Sequence, residues 1–333
     1  MKVVRILLFP IVPIYFVVTW LRNKLYDYGL KSSKSYDFPV VCVGNLSTGG
    51  TGKTPMIEYL IGLLKSECKM ATLSRGYKRS TTGFVLADEN ASAQSIGDEP
   101  FQFYKKFPQV TVAVDENRQH GIQCLIDNTP KPDVILLDDA FQHRKVKAGL
   151  NILLTAYNNL YTSDFVLPTG NLREPRSGAK RADIIVVTKC PGNLKDDEKN
   201  RLKNSIKPKG YQSLFFSSIV YSDIIFSNSS QLELRLVGYF TLVTGVANPK
   251  PLVEYLKSMN LDFEHIKYDD HYQFEDSDIE ELESKELIIT TEKDYVRLEN
   301  KEGLKNKLYY LPIKFSIDRE EEFRKLIFSR INR

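Results

Sequence analysis

The chain is poor in the residues that build metal centres and disulfide frameworks. Its 333 residues hold four cysteines (Cys42, Cys68, Cys124, Cys190), widely spaced and without a C-x-x-C pair, and only four histidines. That spacing excludes a zinc ribbon or finger and points to a reducing compartment, with Cys42 a small residue in an apolar strand. There is no internal repeat and no low-complexity tract. At 42% hydrophobic and 26% charged residues the composition is that of a globular protein, and the length allows one large or two medium domains. A basic body is also missing. Residues 1–34 carry six Lys/Arg against one acid, which accounts for +5, so the remainder sums to −1 of the overall +4. Nucleic acid is therefore not an expected partner, and attention moves to the N-terminus.

The apolar run "ILLFPIVPIYFVVTW" (6–20) lies between basic residues. As a helix its length is roughly 22 Å, short of the roughly 30 Å hydrocarbon core of a membrane. Pro10 and Pro13 are expected to kink it. No small-residue cleavage site follows, so it does not read as a signal peptide. The pattern suits a segment (1–34) lying in the interface of an anionic membrane, with Tyr15, Trp20 and Tyr26 at headgroup depth. The alternative is a buried core helix.

From residue 35 short apolar runs alternate with amphipathic stretches. "VVCVG" (40–44), "MATLS" (70–74), "VTVAV" (110–114), "DVILLDD" (133–139), "NILLT" (151–155) and "DIIVVTK" (183–189) read as buried strands; 53–66 and 116–127 read as helices. This is the signature of a doubly wound α/β domain with a mostly parallel sheet, expected over 35–205. Residues 206–333 read as a smaller α/β lobe, with antiparallel strands in 213–226.

"GNLSTGGTGKTPMIEYL" (44–60) sits between a strand and a helix. The general phosphate-loop pattern is G-x-x-x-x-G-K-[ST], and here Ser47 replaces its first glycine. Ser47, Thr48, Gly49, Gly50, Thr51 and Gly52 supply backbone N–H groups ahead of a helix N-terminus, Lys53 a point charge for the β- and γ-phosphates, and Thr54 a hydroxyl for Mg²⁺. Asp138 and Asp139 end a buried strand, where a carboxylate that holds Mg²⁺ is expected. "TKCPG" lacks the aspartate of a guanine-reading motif, which favours ATP over GTP. From spacing alone, Asp98 in "IGDEPF" is a helix N-cap with Pro100 in the first turn.

Taken with "LSRGYKR" (73–79), "GDEP" (97–100), "LLDDAFQH" (136–143), "LPTGNLREP" (167–175), "VTGVANPK" (243–250), "YDDHYQF" (268–274) and "TTEKD" (290–294), the chain resembles the tetraacyldisaccharide 4′-kinases over nearly its whole length. Ser47 departs from the general loop pattern as the family's own loop does, and the one departure from the family is Ala140, where it usually has Gly. The resemblance implies transfer of the ATP γ-phosphate to the 4′-hydroxyl of a lipid A disaccharide 1-phosphate on the cytoplasmic face of the bacterial inner membrane, forming lipid IVA, with no obligatory protein partner. It implies Asp98 as catalytic base, His271 as its partner from the second lobe, and Glu99 near the Mg²⁺. Arg75, Tyr77, Asn171 and Arg173 are the implied substrate contacts, and "TTEKD" a contact to the nucleotide base or rim. His143 is expected to bond locally, and His120 and His265 to be structural. A GTPase or metallochaperone-like switch would need a guanine reader and paired Cys/His ligands, and neither is found. A membrane-bound ATPase module would hydrolyse ATP whether or not a lipid acceptor is present.

Overall fold

The computed structural model describes residues 8–270 and 272–331. The strands are β1 (Val40–Asn45), β2 (Met70–Ser74), β3 (Val85–Leu86), β4 (Thr111–Val114), β5 (Val134–Asp138), β6 (Leu150–Ala156), β7 (Ile184–Thr188), β8 (Ser213–Tyr221), β9 (Ile224–Phe226), β10 (Gln231–Glu233), β11 (Phe240–Thr244), β12 (Phe263–Lys267), β13 (Ile288–Thr291), β14 (Leu308–Leu311) and β15 (Ile313–Ile317). Nine form one sheet in the order β15-β8-β7-β6-β1-β5-β2-β4-β3, parallel except for β3 and β15 at the edges. Six form a second sheet, β10-β9-β14-β13-β11-β12. A mixed α/β protein with a large, mostly parallel sheet is what the alternating pattern predicts.

The continuous apolar strands follow from burial on both faces. In β1, Val41 and Val43 pack with Met56, Ile57, Leu60 and Ile61 of the helix Lys53–Leu64 and with Phe323 and Ile327 of the helix Glu320–Ile331. Val40 and Cys42 pack on the opposite face with Ile122 and Leu125 of Arg118–Asp127. Period-2 alternation thus puts neighbouring residues of one strand into two different cores. Cys42 is a buried core thiol, as expected, and burial pushes its pKa up to about 12. β1 lies between β5 and β6, the point from which the chain winds in both directions, so the crevice beyond its C-terminal end is where an open α/β sheet binds ligands.

The sequence reading starts the smaller lobe at residue 206, but β8 and β15 belong to the large sheet. β8 runs parallel to β7 from Ser213, and β15 returns antiparallel to β8, with Ile313 opposite Tyr221. The six-stranded sheet is built from the residues between them.

The N-terminal run forms a 3₁₀ turn, Phe9–Ile11, and a helix, Val12–Asp27. Neither proline falls in the interior of the α-helix. Pro10 lies in the 3₁₀ turn and Pro13 in the first helical turn, where no intrahelical N–H donor is lost. The helix docks through polar groups. Tyr15 Oη donates to Arg173 O (2.9 Å), Arg22 to Gln142 O (2.8 Å), and Asn23 Nδ2 to Glu174 Oε2 (2.6 Å). The only buried residue of this helix is Asn23. Ile14, Val17, Val18, Trp20 and Leu21 are exposed, so it is not a core helix. Among the described residues no helix is long and apolar enough to cross a membrane.

Candidate active site

The loop from Leu46 to Gly52 joins the end of β1 to the helix Lys53–Leu64. Its carbonyl groups are tied to their surroundings. Asn45 Nδ2 donates to Ser47 O (2.7 Å), Lys189 Nζ to Gly50 O (2.6 Å) and Thr188 Oγ1 to Thr51 O (2.7 Å). Thr48 N–H donates to Asn171 O, and Arg173 N–H to Leu46 O, both at 2.7 Å. Gly52, at φ 86° and ψ 31°, is the left-handed cap from which the helix starts, a conformation only glycine adopts cheaply.

Asp138 and Asp139 stand beside this loop and differ sharply. Asp138 is buried and its Oδ1 has no hydrogen-bond partner among the described residues. Burial, reinforced by the charges of Asp139 and Glu99, pushes its pKa up to about 7 against the pull of Lys53 and Arg118. Asp139 has φ 48° and faces two cations. Arg173 Nη1 lies 2.9 and 3.0 Å from its carboxylate oxygens, and Lys53 Nζ 3.7 Å from Oδ1. Burial works against ionisation there too, but Lys53 and Arg173 prevail and the pKa is lowered.

Asp98 and Glu99 approach from the side. Gly97, at φ 96°, caps their helix, so Asp98 opens the first turn and is not the N-cap. The helix Asp98–Lys106 is zipped to Glu292–Leu298 of the smaller lobe. Asp98 pairs with Arg297, Glu99 with Lys293 (3.4 Å) and Lys106 with Glu292 (2.6 Å). Lys106 also reaches Glu58 on the helix that starts at Lys53 (2.8 Å). His271 lies outside the described residues.

The substrate candidates separate. Arg173 faces the acidic pair. Arg75 and Tyr77 are exposed and line a recess with Lys78, Arg79, Thr81 and Glu116, in which Arg79 is held by Gly83 O and Glu116. Asn171 instead donates its amide to Asp164 Oδ2 (2.9 Å) while its carbonyl accepts from Thr48, so it shapes the loop. Arg181 makes a bidentate pair with buried Glu174, and Arg176 binds Asp164 O.

The family model described as tetraacyldisaccharide-1-P 4′-kinase matches residues 4–332. The chain belongs to this family. The tetraacyldisaccharide 4′-kinase of Flavobacterium johnsoniae is 52% identical, the alignment covering 97% of this chain and 96% of that one. The corresponding protein of Bacteroides thetaiotaomicron is 45% identical over 93% of this chain and 88% of its own. A solved structure of LpxK from Aquifex aeolicus in complex with ATP superposes with a TM-score of 0.80 at 30% identity, covering 98% of this chain and 99% of that one.

Several residues of this 4′-kinase family member escape a sequence reading. Arg118 is buried and reaches Asp115 O (2.7 Å) and Asp138 O (3.3 Å); no motif marks it. Glu174 ties the N-terminal helix to the core. Arg297 lies one turn beyond Asp294, a spacing the sequence does display. His120 and His265 are structural, bonded to Asp115 and Thr244. His143 bonds locally through its backbone, and its buried Nε2 has no partner among the described residues.

Burial, then the charges of Arg118 and Lys145, lower the His143 pKa from 6.5 to about 4. Between those values the unfolded chain binds a proton that the folded chain refuses. The stability from neutral His143 is therefore complete above about pH 6.5 and lost as pH falls through about 4. Thermal unfolding of His143→Asn is expected to decline less steeply than wild type from pH 7 to 5. Parallel curves would show that the imidazole does not titrate differently on folding.

Proposed function

We propose that the protein transfers the γ-phosphate of ATP to the 4′-hydroxyl of a tetraacyldisaccharide 1-phosphate, the lipid A precursor, to form lipid IVA. The observation that carries this reading is the convergence of the glycine-rich loop, Lys53, the Asp138–Asp139 pair and Arg173 in one crevice, in a member of this kinase family. With the carbonyls of Ser47, Gly50 and Thr51 engaged, the loop presents N–H groups and a helix N-terminus to phosphate oxygens. Lys53 leaves Asp139 to meet the β- and γ-phosphates.

Asp98 accepts the proton of the acceptor hydroxyl, with His271 as its partner. Arg173, Arg75 and Tyr77 receive the acceptor and its phosphate, for which arginine forks are suited. The unpartnered Asp138 Oδ1 fits a cation, and Asp138, Asp139, Glu99 and Thr54 would hold Mg²⁺. Bound Mg²⁺ supplies positive charge against the negative charge that develops on the transferring phosphoryl group.

The reading is tested with labelled γ-phosphate ATP and the disaccharide 1-phosphate, by chromatography of the lipid. Labelled lipid is expected. ATP hydrolysis at one rate with or without acceptor, and no labelled lipid, would favour an ATPase module and overturn it.

The helix Val12–Asp27 supports a place on the cytoplasmic face of the inner membrane, lying in the interface. Its polar side is spent on the protein and its apolar side is left outward, the reverse of a helix that covers a core. Ile14 and Val18 stand four residues apart on the outer side. Ile14→Asp/Val18→Asp is expected to lose most binding to anionic vesicles at unchanged ATP affinity and melting temperature. Undiminished vesicle binding would place the membrane contact elsewhere.

A further inference from the structure

Two motifs, "VTGVANPK" and "TTEKD", take no part in the loop or the acidic pair, yet the fold brings them together. Gly245 follows β11, and Thr291 ends β13 and caps the helix Glu292–Leu298. Asp294 is fully buried between them. Its Oδ2 accepts from Gly245 N–H and from Thr291 Oγ1, each at 2.8 Å. A Cβ at Gly245 would lie 2.8 Å from Asp294 Oδ1, so the socket has room only for glycine.

A buried carboxylate needs a cation as well as hydrogen bonds. Here it is Arg297, whose Nη1 lies 3.3 Å from Asp294 Oδ1. Nη2 of the same guanidinium bonds Asp98 Oδ2 on the opposite body, across 199 residues of sequence. Arg297 is itself nearly buried, with 9% of its side chain exposed.

The geometry points to Arg297 as a positioning residue for the Asp98 carboxylate, seated in a socket made by Gly245, Asp294 and Thr291. This rests on the reading of Asp98 as the base. A carboxylate in the first turn of a helix turns readily about its side-chain bonds. A guanidinium pinned through Nη1 by Asp294 holds Asp98 Oδ2 in place through Nη2. Orientation of this kind governs proton transfer, because the accepting oxygen must meet the donor within hydrogen-bond reach. The fork comes from the smaller lobe, so the base is set only when the lobes are properly seated against each other.

The test uses the full chain and four variants: Asp98→Asn, Arg297→Ala, Arg297→Lys and Asp98→Asn/Arg297→Ala. Turnover, ATP affinity and melting temperature are measured for each. Arg297→Ala is expected to lose about 10²-fold in kcat, the scale of a misplaced reacting group, at nearly unchanged ATP affinity. Arg297→Lys keeps the charge without the fork and should recover part of the loss. The double variant should be no slower than Asp98→Asn, because the two residues act as a unit.

Wild-type turnover in Arg297→Ala, or multiplicative losses in the double variant, would overturn the positioning role while leaving Asp98 as base. A fall in melting temperature and ATP affinity matching the fall in kcat, uncorrected by lysine, would show a structural role instead and overturn it too. Normal turnover in Asp98→Asn would remove the base assignment itself, a result distinct from the others.

Discussion

Lys53→Ala is expected to reduce phosphoryl transfer by about 10²-fold or more, the loss typical of a preorganised group aimed at charge developing in the transition state. The structure separates this effect from a loss of folding. Lys53 is only one of two cations at Asp139, and Arg173 lies closer, at 2.9 Å against 3.7 Å. With Lys53 gone, Asp139 keeps its nearer partner. Asp138 loses the pull of Lys53 toward ionisation and can keep its proton, so no buried charge is stranded and the melting temperature should change little. Labelled transfer and thermal unfolding measured on the same preparation decide the matter. Near-normal transfer in a folded variant would end the assignment of this loop to phosphate.

Asp138→Ala is expected to lose transfer on a similar scale, with a different signature. Asp138 offers a buried oxygen that no described residue satisfies, and burial pushes its pKa up to about 7. A group of that kind costs stability unless a cation arrives. The apoprotein should therefore be no less stable for its removal, whereas transfer should need more Mg²⁺ and recover in part as Mg²⁺ is raised. Asp98→Ala should show no such recovery. A loss in Asp138→Ala that stays constant across Mg²⁺ concentrations would exclude this carboxylate as a ligand.

The legible parts of this protein are those written in local pattern. β1 and β5 are continuous apolar runs because both faces are covered, and Lys53, Asp138 and Asp139 follow from their places at strand ends. The helix at Val12 was legible, but its prolines misled, because their effect depends on whether they fall in the first turn. β15 was not legible. Its residues "IKFSI" alternate apolar and polar as a strand should, but its partner β8 lies far back in the chain, and alternation does not say which strand it joins.

The site shows the same division. Asp98 could be named, but Arg297, 199 residues away, could not be joined to it without the fold. Asn171 could be named from its motif, but its bond to Asp164 seven residues earlier is visible only in the fold. Arg118 is buried beside Asp138 by the packing of its helix, and nothing around it in the sequence distinguishes it from a surface arginine.

The return of β15 beside β8 has a mechanical meaning. The chain passes into the six-stranded lobe just after Tyr221 and comes back just before Ile313, and those two residues face each other across a ladder rung. Ser222 N–H bonds Pro312 O where the two passages run side by side. To the large sheet, residues 222–312 amount to the tip of a hairpin, and closing that tip costs no more chain entropy than a tight turn once the lobe is folded. Both covalent links of the lobe to the large sheet therefore lie side by side at one edge, and buried Val296 joins the lobe to the large core. The zipper between Asp98–Lys106 and Glu292–Leu298 is what fixes its angle.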